Sequence, residues 1–137
     1  MPSSDALAAG LAGAVLSAIP STAWTLLRGG DLLESGRAAG SIALPRAAPG
    51  ALQVAAAAPV HLALSLGWAA VLAAAVPRGR ELAGCAAGGL AIAAVDLGVI
   101  GRRLPAIRAL PQGRQWADHL AYGLAVGAVL RHRRTGV

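Results

Sequence analysis

Apolar residues fall into four long runs along the chain, covering residues 6–27, 51–76, 82–101 and 116–130. A helix needs ~20 such residues to cross the hydrocarbon core of a bilayer. The first three runs meet that length. The fourth spans only ~22 Å at 1.5 Å per residue, so its flanking Arg114 and Arg131 must snorkel toward head groups or the bilayer must thin. The pattern predicts an all-α polytopic membrane protein: one transmembrane domain over residues 1–137, with four helices in a bundle and three spans as the main rival.

The connections are unequal. Residues 28–50 form the long one, in which Asp31 stands three positions before Glu34, the spacing of a helix start. A short amphipathic helix over 31–44, ended by Pro45, is expected to lie at the membrane interface. Residues 77–81 form a tight turn between antiparallel helices. The link over 102–115 alternates Arg with Leu and Ile, and Pro105 and Pro111 limit any helix there to about one or two turns. The leader, Met1 to Asp5, is acidic, whereas a secretory signal opens on basic residues. The first run is therefore read as a retained helix.

Composition strengthens the membrane reading. Hydrophobic residues make up 56% of the chain and charged residues 13%, with a mean hydropathy of +0.62. A soluble domain needs a polar surface that these side chains cannot supply, and disordered chains are polar and charge-rich. All twelve cations are Arg, and Lys, Phe and Asn are absent. The bias toward Ala, Gly, Leu and Arg is the mark of a GC-rich genome. The one cysteine, Cys85, excludes an internal disulfide and a zinc finger.

The net charge is +6, yet the arginines flank apolar runs and form no separate basic domain. With three Trp and one Tyr for stacking, nucleic acid is not expected as a partner. Arg102, Arg103, Arg108, Arg114 and Arg131 are instead expected to face lipid head groups. Trp24 and Trp116 stand where interfacial anchors belong. With four spans, Arg78, Arg80, Arg131, Arg133 and Arg134 share one side, and the seven remaining arginines share the other. That slight excess leans toward cytoplasmic long loops and external termini, with internal termini or insertion in both orientations left open. The expected localisation is the inner (plasma) membrane, as a multi-pass protein.

The second and fourth runs resemble each other. Residues 61–72 and 119–130 are identical at seven of twelve positions, both opening on His. The first and third align at Leu7-Ala8 with Leu82-Ala83 and at Ala12-Gly13 with Ala87-Gly88, which suggests two repeated helical hairpins. Residues four apart share a helix face. Ala9, Gly13, Ser17, Ser21 and Thr25 form one such stripe; Ala57, His61, Ser65, Ala69 and Ala73 a second. His119, Gly123 and Gly127 form another, while on the third helix Gly84, Gly88 and Asp96 are interrupted by Ile92. Small stripes let membrane helices approach closely, and polar groups on them bond across the contact.

The candidate intramembrane polar cluster is His61, Asp96, His119, Ser21 and Asp118. One reading makes it packing glue, with Asp96 neutralised by Arg102 or Arg103 and Asp118 favouring the helix dipole. The other makes it a water-accessible pocket for a proton, ion or small ligand. A bis-histidine haem b on His61 and His119 is a third arrangement, against which stand a ~5 Å offset in depth and the lack of Phe to line a pocket. No phosphate loop, His-Glu-x-x-His or glycine-framed serine is present, so no catalytic residues, metal or other cofactor are expected.

The stretch Gly101 to Pro111, followed by Ala117 to Gly123 and with residues 33–40 in the first loop, resembles uncharacterised small membrane proteins of high-GC actinobacteria. That resemblance implies a four-helix inner-membrane protein and no activity. Four-helix multidrug exporters are a poorer match, since their membrane-embedded Glu in the first helix has no counterpart here. The expected function is a structural, interaction or accessory role, as a homo-oligomer or within a larger membrane complex. The alternative is a small proton-linked carrier or ligand-binding protein using Asp96, His61 and His119.

Overall fold

Pro20 decides the shape of the first apolar run. In the computed structural model, which describes residues 4–136, that run is two helices, α1 (Ser4–Leu16) and α2 (Ile19–Arg28). Proline has no N–H and its ring crowds the carbonyl four residues earlier, so a helix continuing through it is disfavoured, while the first turn of a new helix suits it. The backbone ladder ends on one side of the break at Ser17 N to Gly13 O and resumes on the other at Thr22 N to Ala18 O, both 3.0 Å.

The rest follows as α3 (Glu34–Gly40), α4 (Gly50–Ala75), α5 (Glu81–Val95) and a π-turn over Asp96–Ile100. A 3₁₀ turn at Gly101–Arg103, α6 (Pro105–Ala109) and α7 (Gln112–Thr135) complete the chain. Among the described residues 81% are helical and none lies in a strand. Met1, Pro2 and Ser3 of the acidic leader lie outside the described residues, as does Val137. The helix expected over 31–44 is shorter. Asp31 does not cap it directly; its carboxylate accepts from Leu33 N at 2.8 Å in a turn just before the helix. At the far end, Gly40 packs so closely on α4 that a Cβ there would strike the Gln53 carbonyl. Bonds then tighten to i+3 spacing, Ile42 N to Ala39 O and Ala43 N to Gly40 O, before Pro45 ends the segment.

Three stretches are long and apolar enough to cross a membrane: Ser4–Arg28, Gly50–Ala75 and Glu81–Arg103. The fourth run differs from expectation. It belongs to a helix of 24 residues, longer than 116–130, but one whose ends carry Arg114, Arg131, Arg133 and Arg134. Its apolar middle is covered by protein. Tyr122, Val126 and Leu130 are buried there because α7 lies between α5 on one side and α1 with α2 on the other, while α4 packs along α1.

The distribution of sizes is the reverse of a soluble core. Large side chains point outward, among them Leu11, Val15, Leu27, Leu62, Val71 and Val99. Many of the buried positions are small: Ala6, Ala9, Ala69, Cys85, Ala93 and Ala125. In a lipid solvent, outward leucines cost nothing, and close backbone approach through small residues supplies the packing. The approach is closest between α5 and α7. A Cβ on Gly123 would strike the Cys85 carbonyl, one on Gly89 the His119 carbonyl, and one on Gly127 the Glu81 carbonyl. Gly84 and Gly88, the stripe expected on this helix, face Leu72 of α4 and Val76 just after it.

Candidate functional site

The break at Pro20 exposes backbone groups that a continuous helix would satisfy internally, and two candidate residues meet them. Ser21 N donates to Asp118 Oδ1 of α7 at 2.9 Å. Asp118 thereby caps the start of α2 from a neighbouring helix, placing a carboxylate at the positive end of its dipole. On the other side of the break, His61 Nε2 of α4 lies 2.9 Å from the Ala14 carbonyl; since a carbonyl only accepts, this nitrogen is the donor.

One turn further out, Thr25 Oγ1 donates to Ser21 O at 2.8 Å and accepts from Arg114 at 2.8 Å. The same guanidinium reaches Glu34 of α3 at 3.6 Å. Arg114, expected among the lipid-facing arginines, is thus a correction: its side chain is only 15% exposed and binds protein on two sides. It lies in the first turn of α7, against α2, so its fork closes on Thr25 and Glu34. Arg102, Arg103, Arg108 and Arg131 are exposed.

Asp96 and His119 form a separate group. Asp96 opens the π-turn and places Oδ2 3.5 Å from His119 Nε2, while His119 Nδ1 meets the Gln115 carbonyl at 2.7 Å. Asp96 therefore pairs with histidine across the helix contact, not with Arg102 or Arg103 on its own segment. Because a carbonyl only accepts, Nδ1 donates to Gln115 O, which leaves Nε2 facing the Asp96 carboxyl. Asp118 and His119 are neighbours on α7 and point ~100° apart, so one serves α2 and the other the π-turn.

The five candidates are thus distributed over three bonding groups: Ser21 with Asp118, His61 with Ala14 O, and Asp96 with His119. The two histidines, matched in the sequence, have different surroundings. His61 is exposed and bonds α1, whereas both nitrogens of His119 are engaged at α7 and the π-turn. A haem iron held at Nε2 of both rings would have to displace these contacts.

Sequence reasoning missed the opposite end. Glu81, only 3% exposed, accepts from Arg134 of α7 at 3.3 Å. Arg134 also donates to the Ala73 carbonyl at 2.5 Å and the Val76 carbonyl at 3.0 Å, capping the end of α4. The other Glu81 oxygen accepts from Gly79 N at 2.8 Å. Gly79 sits at φ 85°, a left-handed conformation that glycine adopts without the steric cost of a Cβ. One ion pair ties the α4–α5 turn to α7. The signal was available: Glu81 stands at the entry of an apolar run and needs a cation there. Outside the apolar stretches, Asp31 is held below the usual carboxylate range by its bond from Arg37, aided by the Leu33 N–H.

No family model matches the chain, and no curated protein or solved structure is significantly similar to it.

Proposed function

We propose that the chain is a multi-pass inner-membrane protein in which α7 is a fourth span, the four long helices form one bundle, and the role is structural: an interaction or accessory unit. One observation carries this. The polar groups Ser21, Asp118, His61 and Arg114 are engaged at the broken first helix or beside it, which is the work of packing, not of substrate handling. The test is retention in the membrane pellet after carbonate washing, combined with reporter fusions at Gly79 and at the C-terminus. Both reporters are expected on one side. Opposite sides would remove α7 from the set of spans.

A second reading, a small proton-linked carrier or ligand-binding protein, is favoured by the Asp96–His119 pair. Two ionisable side chains meet there at a π-turn, ionisable groups inside apolar helices are often functional, and π-turns recur at functional positions. Asp96→Asn separates the readings. Under the structural one the variant loses about 0.6 kcal/mol of stability in detergent and nothing else changes. Under the carrier reading the fold survives and pH-driven flux in liposomes disappears, because an amide does not titrate.

A further inference from the structure

At the end of the molecule that carries the long loops, a cleft of about 260 Å³ opens between α3, the segment after it, the first turn of α4, and α6. Glu34, Arg37, Ser41, Arg46, Gln53 and Ala106 line it. The walls are fixed from below. Gln53, 9% exposed, reaches the carbonyls of Pro45 and Arg46 at 3.4 Å each, which holds the turn bearing Arg46 against α4. Gly40 sits on the Gln53 backbone, and the Arg37 stem passes within 3.2 Å of where a Cβ on Gly50 would stand. Arg37 therefore lies across the start of a 26-residue helix, whose dipole favours negative charge there.

The charges around the cleft do not balance. Asp31 pairs with Arg37, and Glu34 pairs with Arg114. Among the described residues the Arg46 guanidinium has no partner. The two nitrogens of Arg37 not bonded to Asp31 are also donors. Two guanidinium groups line one cleft, that of the exposed Arg46 uncompensated and its backbone held by Gln53, an arrangement that suits a tetrahedral oxyanion. The cleft also lies where the apolar helices end. Arg28 stacks on Trp24 at 4.8 Å at the same end of the molecule, an arrangement suited to the head-group level.

We propose that this cleft binds a phosphate group, with Arg46 and Arg37 as its ligands, supplied by a lipid head group or by free phosphate. The site rests on the membrane reading only for the first of these sources.

The experiment uses the purified full chain in detergent, with native mass spectrometry to count bound phosphatidylglycerol and a competition arm with inorganic phosphate. One lipid per chain is expected, with affinity falling about tenfold in Arg46→Gln, the worth of one charge-assisted hydrogen bond. Ala106→Leu, which fills the cleft and leaves every charge in place, is expected to weaken binding as well. Arg131→Gln removes an exposed arginine at the other end and is expected to change nothing. Displacement of the lipid by equimolar inorganic phosphate, with the same dependence on Arg46, supports the site and assigns free phosphate as the source. Equal losses in Arg46→Gln and Arg131→Gln, or no binding of either probe, would overturn the proposal.

Discussion

Helix α7 has two seams, and they are built by different physics. Against α5 it presents Gly123 and Gly127, and the backbones meet with Cys85 and Gly89 filling the contact. Against α2 it presents Arg114 and Asp118, and the contact is made by hydrogen bonds to Thr25 and to Ser21 N. The first seam depends on the absence of side chains; the second depends on their chemistry. A glycine seam tolerates no added atom. A hydrogen-bonded seam tolerates any group that still accepts or donates.

The largest effect is therefore expected from Gly123→Val. Its Cβ would press on the Cys85 carbonyl, which belongs to backbone and cannot swing aside, so the helices must part at a cost of about 3 kcal/mol. Thermal unfolding in detergent checks this, and an unchanged midpoint would mean the seam is looser than its geometry. Arg134→Ala comes next, because it leaves the Glu81 carboxylate enclosed without its cation and frees the Ala73 and Val76 carbonyls. A lowered midpoint is expected, with partial recovery in Arg134→Lys. On the polar seam, Asp118→Ala is expected to cost about 1 kcal/mol, as for a lost helix cap. Asp118→Asn keeps an acceptor oxygen for Ser21 N and should fall well short of that loss. Equal losses in the two would show that charge, not the bond, holds α2.

The smallest effect concerns the loop. The Asp31 carboxyl titrates below its ordinary value of 3.8 in the folded chain, so the folded state favours the ionised form. Its contribution is complete above the unfolded value and is lost as pH falls through the lowered one. Stability measured below pH ~4 should decline less steeply in Asp31→Asn than in the parent chain.

The two seams also differ in how readable they were. The stripe Ala9, Gly13, Ser17, Ser21 and Thr25 follows from four-residue spacing, and all five are buried. Spacing finds a face because helix geometry is local. It does not find a partner. Cys85 with Gly89 and Gly84 with Gly88 are both valid stripes on α5, and only tertiary contact assigns one to α7 and the other to α4. Asp96 shows the same limit. Arg102 and Arg103 are near it in sequence, but the π-turn aims its carboxylate at α7, and no pattern of residue types encodes that rotation. Pro20 was legible and went unused: a proline inside an apolar run implies a lost ladder bond, and the groups near Ser21 were the ones that answer it. The length of α7 was hidden for a different reason. Hydropathy reports what lipid would favour, and much of this helix is covered by other helices.

The central position of α7 bears on how the molecule is made. Synthesis proceeds from the N-terminus, so α1 and α4 can pair through Gly10, Leu66 and Ala69 as soon as α4 leaves the ribosome. α5 touches α4 through Gly84 and Gly88 near their shared turn, while its Cys85–Gly89 face has no cover until the final helix arrives. At ~5–20 residues per second, the chain between α5 and the end of α7 takes on the order of seconds to emerge. For that interval a glycine-lined face stands open, available to α7 of the same chain or to a helix of another.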